Sequence, residues 1–338
     1  MPSSPEPLKR CLASMIWKAG LLLALLLCFL PGAALAQECR LVKMATLETT
    51  IPSAGPPTVI LRIADQDARF ALNTATVASL IGDDLVAGQG LNVRTTGRFD
   101  LAAGYTSEAA TIPLLDVGGL RATDLSILVA PSGAVPDGVD GVLGLDLLHG
   151  YDIELDLGHG KLNLFNRNHC PGHVVYWTSS AAVLPIHIQH DIVFTVPMTL
   201  DGKPVEVLLD TGTDKASMSY ATAHRLFGLE RGGPALQRIS QGPGAAVQYR
   251  YAFKTLEAGG LVIANPEIEI DDNGLHDFGD NRDEDCNEKQ WLNTGSVIGS
   301  YRCLTRSDLR LGVQQLRQLR LFIALSEETL YLTSANAQ

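Results

Sequence analysis

The alternation of apolar and other residues along this chain predicts many short β-strands. Val205, Val207 and Leu209 alternate with other residues, as expected of a strand that enters a buried region. This strand runs into Asp210-Thr211-Gly212. An aspartate at the end of an apolar strand must be hydrogen-bonded, because burying a carboxylate without partners is costly. The Thr211 hydroxyl could brace such a loop, and Gly212, having no side chain, lets another group approach closely.

A related pattern occurs in the first half of the chain. The predicted strand Arg69–Leu72 ends in Asn73-Thr74-Ala75, which aligns with Asp210-Thr211-Gly212 at an offset of 137 residues. Asn73 therefore corresponds to Asp210, and Thr74 to Thr211. The same kind of loop is thus predicted twice.

Two further correspondences follow in the same order. The segment 141–144 (GVLG) resembles 296–299 (SVIG), and the apolar strands of residues 153–164 resemble those of 321–332. A helix is predicted over 305–319 as an insertion in the second half. Three elements repeated in one order indicate an internal duplication, which is more specific than any single tripeptide.

The Asp-Thr-Gly loop with this repeat resembles the pepsin- and retropepsin-like aspartic proteases, in particular bacterial exported two-lobed proteins with one degenerate lobe. The resemblance implies a mostly β fold of two related acid-protease lobes. It also implies Asp210 as the catalytic residue, and Thr211, Gly212, Asn73 and Thr74 as the remaining active-site loop residues. Members of this family pair two such loops, so that two carboxylates share one proton and activate a water.

Asn73 departs from that pattern, because a carboxamide cannot ionise or carry the shared proton. Three hypotheses follow. Asp210 pairs with its own copy in a homodimer and the protein is an aspartic-type endopeptidase; or the chain is a catalytically inactive pepsin-like protein that binds peptides; or it is a structural β protein. The first is preferred, and a peptide or protein substrate is expected in either of the first two.

The first 36 residues are predicted to be a signal peptide. Lys9 and Arg10 precede the apolar run 21–30, and 34–36 (ALA) is a small-residue cleavage site that ends at Ala36. The mature protein is therefore expected in the periplasm or the medium, without a stable membrane span. The predicted domains are 37–170, a degenerate N-terminal protease-like lobe, and 191–338, a C-terminal aspartic protease-like lobe, joined by the linker 171–190.

Four cysteines remain after the leader is removed, and an even number in an exported chain favours two disulfides. Cys39–Cys170 and Cys286–Cys303 are the preferred of the three pairings. The formal net charge of −11 argues against nucleic acid as a partner. No cofactor and no metal are expected: the acidic run within 271–285 does not match an EF-hand loop, and the histidines lie in predicted linkers, strands and turns.

Overall fold

The computed structural model describes residues 39–101, 104–189, 193–239, 247–271 and 307–337. Arg40–Gln338 form one compact unit, to which all the sheets belong. Three short α-helices occur in the described part of the chain: α1 (Asp83–Gly88), α2 (Tyr220–Phe227) and α3 (Val313–Leu316).

The strands fall into three groups along the chain. The first half contains β1 (Lys43–Thr50), β2 (Thr58–Ile63), β3 (Gln66–Leu72), β4 (Leu80–Ile81), β5 (Asn92–Leu101), β6 (Gly104–Val117), β7 (Leu120–Val129), β8 (Gly141–Leu143), β9 (Asp152–Asp156) and β10 (Lys161–Phe165). The middle contains β11 (Ala182–Pro185), β12 (His187–Gln189), β13 (Val193–Leu200), β14 (Lys203–Leu209) and β15 (Ala216–Ser219). The remainder are β16 (Gln237–Arg238), β17 (Gln248–Ala252), β18 (Thr255–Ala258), β19 (Leu261–Ala264), β20 (Glu267–Asp271), β21 (Leu309–Leu311), β22 (Leu319–Ala324) and β23 (Thr329–Ser334).

These strands build a mostly β protein, as predicted. Each half places a strand that ends in a site loop beside a parallel strand from later in that half. In the first half β3 pairs with β8, and in the second half β14 pairs with β21. The loop backbones are fixed in the same way, since Asn73 N donates to Leu143 O and Asp210 N donates to Leu311 O, both at 3.0 Å.

The second-half counterpart of Gly141–Gly144 is not the one predicted. Residues 309–312 (LRLG) occupy this place, with the register Leu208–Arg310 matching Ala71–Val142. The predicted counterpart, 296–299, lies outside the described residues. The predicted long helix over 305–319 is also wrong, because strand β21 and the four-residue helix α3 lie within it.

A glycine follows each of the strands β8 and β21, and the reason is steric. A Cβ on Gly144 would lie 2.8 Å from the carbonyl carbon of Ala78, and one on Gly312 would lie 2.5 Å from that of Lys215. Both contacts are with backbone, which cannot move aside cheaply. Glycine is therefore required where the later strand crosses the segment that follows each site loop.

Six strands, in the order β11-β23-β22-β9-β10-β1, form the joining part of a 13-stranded sheet that connects the two halves. At its centre β9 and β22 run antiparallel, with Ile153 opposite Ile323 and Leu155 opposite Leu321. These four side chains are buried in the main hydrophobic core. Burial of apolar area across this pairing stabilises the contact between the two halves.

The same joining part of the sheet carries a buried charged cluster. Glu154 is fully buried, and it accepts hydrogen bonds from Arg320 Nε at 2.7 Å, Tyr176 Oη at 2.7 Å and Asn163 Nδ2 at 3.0 Å. Burial alone would lower the pKa of Arg320, but its bonds to Glu154 raise that pKa above the ordinary value. Burial, and then the bond to Glu154, raise the pKa of Tyr176 to about 12. The Glu154 carboxylate and the Arg320 guanidinium therefore stabilise each other's charge in the buried cluster.

Cys39 and Cys170 form the one disulfide among the described residues. Cys286 and Cys303, the predicted signal peptide and nearly all of the acidic run lie outside the described residues. Among the described residues no helix has the length and apolar character needed to cross a membrane.

Replacing Arg320 with Met should lower the free energy of unfolding by about 3 kcal/mol, because it leaves the buried Glu154 carboxylate without its cation. Arg121, whose ion pair with Asp116 is solvent-exposed on the arginine side, provides the control. Arg121→Ala should cost less than about 1 kcal/mol. Urea unfolding of both variants measures this. Equal losses would show that Arg320 contributes no more than a surface charge.

Candidate active site

Strand β14 delivers Asp210 to the junction of the two halves. Val205, Val207 and Leu209 are all buried, so the strand is anchored in the core up to the residue before Asp210. Pairing with β13 on one side and β21 on the other fixes its position. Asp210 itself is only 2% exposed. Its carboxylate is therefore held in a largely desolvated place.

The Asp210 and Asn73 side chains make the same local hydrogen bond. Asp210 Oδ1 accepts from Gly212 N at 2.8 Å, and Asn73 Oδ1 accepts from Ala75 N at 2.9 Å. Each is a bond to the backbone two residues on, which is typical of an Asx turn. The asparagine therefore replaces the carboxylate without changing the shape of its loop.

Thr74 and Thr211 tie the two loops to each other by a reciprocal exchange. Thr74 Oγ1 donates to Leu209 O at 2.6 Å, and Thr211 Oγ1 donates to Leu72 O at 2.8 Å. Each hydroxyl also accepts from the opposite backbone, since Thr74 N lies 3.0 Å from Thr211 Oγ1 and Thr211 N lies 3.2 Å from Thr74 Oγ1. Both threonines are buried. Four buried bonds thus join the predicted loops within one chain.

Asn73 lies directly against the Asp210 loop. A Cβ added to Gly212 would come within 2.3 Å of Asn73 Nδ2 and 2.6 Å of its side-chain carbon. Gly212 therefore has to be glycine while the Asn73 side chain holds this position. The structure thus brings together all five predicted loop residues, Asn73, Thr74, Asp210, Thr211 and Gly212.

Arg310 is a site residue that the sequence did not reveal. Its Nη1 lies 3.4 Å from Asp210 Oδ2, and its side chain is 24% exposed against 3% for the Asp210 side chain. The corresponding residue beside Asn73 is Val142, which is buried. The offset between the two halves would have found Arg310 if residues 309–312, rather than 296–299, had been aligned with 141–144.

Other predicted elements lie away from this site. His169 lies in the loop after β10, buried between Asp152 and Glu327, and His187 contacts Glu206. The described residues contain no group of three or more His, Cys, Asp or Glu side chains suited to a metal ion. The β5–β6 hairpin bears Tyr105 close to its tip, 56% exposed, with the Arg98 guanidinium 4.1 Å from the ring centroid.

Comparison with known proteins agrees with this geometry. A sequence model of the aspartyl protease family matches residues 196–284, which include Asp210. The structure resembles an aspartic proteinase from Irpex lacteus at 12% identity, with a TM-score of 0.52, covering 86% of this chain and 97% of that one. The segment that carries Asp210 thus matches the aspartyl protease family, and most of the chain shares its fold with the Irpex lacteus proteinase.

Two further results complete the comparison. Basic 7S globulin from soybean is similar at 11% identity with a TM-score of 0.46, covering 88% of this chain and 96% of that one. No curated protein matches by sequence. The family match rests on the C-terminal lobe, and the solved structure from Irpex lacteus extends the common fold over most of the chain.

Thr74→Val and Thr211→Val should each lower the free energy of unfolding by about 2–4 kcal/mol, since each removes a buried hydroxyl and leaves a carbonyl and an amide unpaired. The double variant should cost less than the sum, because both residues belong to one network. Urea unfolding measures all three. Thr213→Val is the control, since the Thr213 hydroxyl makes only a long contact of 3.5 Å to Asp210 O. Strict additivity of the two losses would contradict a shared network.

Proposed function

We propose that this protein binds extended polypeptides at the junction of its lobes, over Asp210 and Asn73, without hydrolysing them efficiently. The observation that carries the proposal is the composition of the paired loops. One loop supplies a carboxylate held by Arg310, and the other supplies a carboxamide in the same local geometry. Asp210, Thr211, Gly212, Asn73 and Thr74 are the proposed site residues.

The chemistry of the family needs two carboxyl groups with different protonation. One acts as general base on a water, while the protonated one polarises the scissile carbonyl and then protonates the leaving amine. Asn73 has no proton of that kind to give. The Asp210 carboxylate contacts the Arg310 guanidinium at 3.4 Å, and the opposite loop presents the Asn73 carboxamide instead of a second carboxyl that could share a proton. This pair of loops therefore lacks the second, protonated carboxyl that efficient peptide hydrolysis requires.

A homodimer that completes a dyad from two copies of Asp210 is disfavoured by the same contacts. Such a dimer would place two identical loops on a twofold axis. The hydrogen-bonding partners that a second Thr211 loop would use are already taken by Thr74 of the same chain. Pairing between chains would first have to break four buried hydrogen bonds.

Peptide binding without cleavage remains compatible with the rest of the fold. Extended peptides bind through backbone hydrogen bonds to strand edges and hairpins, and these do not require the dyad. The β5–β6 hairpin, with Tyr105 exposed near its tip, is the element proposed to cover such a ligand. Export through a signal peptide cleaved near Ala36 and an internal duplication are part of the same proposal. The disulfide supports export, since disulfides persist in oxidising compartments.

Slow hydrolysis is the second candidate, favoured by the family match over the Asp210 segment. In that case Asp210 alone would act as general base on a water. Asn73 would position that water by hydrogen bonding, and the proton for the leaving amine would have to come from solvent.

A variant with an aspartate in both loops should separate peptide binding from slow hydrolysis. Asn73→Asp supplies the second aspartate, and Arg310→Val replaces the arginine with the residue type that Val142 provides at the equivalent position of the first half. Incubated with an unfolded protein from pH 3 to 7, wild type should release no peptides above the Asp210→Ala background. The double variant should cleave at acid pH, because one of its two close carboxyls then holds a proton.

Asn168→Asp, an exposed substitution, controls for the added charge alone. Asp210-dependent cleavage by wild type, linear in protein concentration, would replace the binding proposal with slow single-chain hydrolysis. Cleavage that rises faster than linearly with concentration would support the homodimer instead. Failure of wild type to retain any peptide in an equilibrium binding assay would also contradict the proposal.

A further inference from the structure

The two lobes differ in the chemistry of one row of side chains, which starts beside each site loop and crosses the neighbouring strands. In the second lobe Arg310, Ser217, Glu269 and Arg250 lie opposite one another on strands β21, β15, β20 and β17. Side chains directly opposite on adjacent strands share a face of the sheet. The row therefore leads away from Asp210 along one face.

The corresponding row in the first lobe is apolar. Val142, Leu80, Leu128 and Ala109 lie opposite one another on β8, β4, β7 and β6. Val142 and Leu80 belong to a small hydrophobic cluster that the partly buried Val135 and Val139 pack against. The fold thus holds an apolar row beside Asn73 and a charged row beside Asp210.

Within the charged row the cations are the exposed partners. The Arg310 side chain is 24% exposed where Asp210 is 3% exposed. Lys215, which pairs with Glu269, is 43% exposed where Glu269 is 15% exposed. Arg250 is exposed as well. A ligand that approaches this face meets three basic head groups, with the carboxylates behind them, on a protein whose formal net charge is −11.

A guanidinium is suited to a second anion here. It has five N–H donors in a planar fork, and the contact to Asp210 uses one nitrogen at 3.4 Å, a long distance for a charged pair. An incoming carboxylate can therefore form a shorter, two-pronged contact with Arg310 while Asp210 keeps its bond to Gly212 N.

We propose that the face formed by Arg310, Lys215 and Arg250 selects peptides that carry a carboxylate on the second-lobe side of Asp210. This inference rests on the proposed peptide-binding function and specifies its ligand as an acidic peptide. Carboxylates of glutamate and aspartate side chains, or of a peptide C-terminus, share the required chemistry.

The test uses the full protein and decapeptide libraries, acetylated and amidated, in which one position is fixed as Glu, Gln or Lys. Equilibrium binding by wild type should favour Glu over Gln at one position by on the order of tenfold, as expected of a charge-assisted hydrogen bond. Lys should bind more weakly than Gln. A fourth library with a free C-terminus and no fixed acid distinguishes a terminal carboxylate from a side-chain one.

Arg310→Gln and Lys215→Ala should each reduce the Glu-over-Gln preference several-fold. Arg310→Gln retains donors towards Asp210, so that buried carboxylate is not left unpaired, and thermal unfolding confirms its fold. Arg167→Ala, a change to an exposed arginine of the first lobe outside the β5–β6 hairpin, is the matched control and should leave the preference intact.

The outcomes separate the two claims. If peptides bind with no preference for Glu or for a free C-terminus, or with a preference that both second-lobe variants retain, the acidic-peptide inference is wrong and the binding function stands. If no library binds, the proposed function itself fails. Equal loss with Arg167→Ala would show that only overall charge matters, which also overturns the inference.

Discussion

The reciprocal hydrogen bonds between Thr74 and Thr211 are the contact on which the site depends. Each hydroxyl satisfies a backbone carbonyl and a backbone amide of the opposite loop, in a region that excludes water. Leaving such groups unpaired would cost far more than the bonds return in net stability. The two loops are therefore constrained to meet, and with them the strands β3 and β14 that end there.

This constraint acts on backbone and threonine hydroxyls alone, so it leaves the neighbouring residues free to differ. Aspartate and asparagine make the same bond to the amide two residues on, which is why one lobe can hold Asn73 and the other Asp210. The residue on the crossing strand differs in parallel, with Val142 beside the neutral side chain and Arg310 beside the charged one. The buried Asp210 carboxylate has the Arg310 guanidinium beside it as a counter-charge.

Much of this arrangement could be predicted from the sequence, because local patterns encode it. Apolar strands that end in Asn73-Thr74 and Asp210-Thr211 predicted the two loops. The constant sequence offset between the loops correctly aligned their equivalent residues. The crossing strand of the second half was missed, since Arg310 interrupts the apolar pattern expected of residues 309–312, whereas 296–299 shows it. The contacts of Arg310 with Asp210, and of Arg320 with Glu154, join residues 100 and 166 positions apart. Side-chain pairing at that separation leaves no periodic signal in the chain.

The central claim, that the two loops pair within one chain, can be tested most directly by nuclear magnetic resonance. Protein labelled on threonine methyl groups and backbone amides would be diluted tenfold with unlabelled protein under conditions that allow any dimer to exchange. The nuclear Overhauser effect between the Thr74 amide proton and the Thr211 methyl group would then be measured against an intra-residue reference. The account predicts an unchanged relative intensity, since both groups belong to one molecule. A signal that falls with dilution would place them on different chains and contradict it.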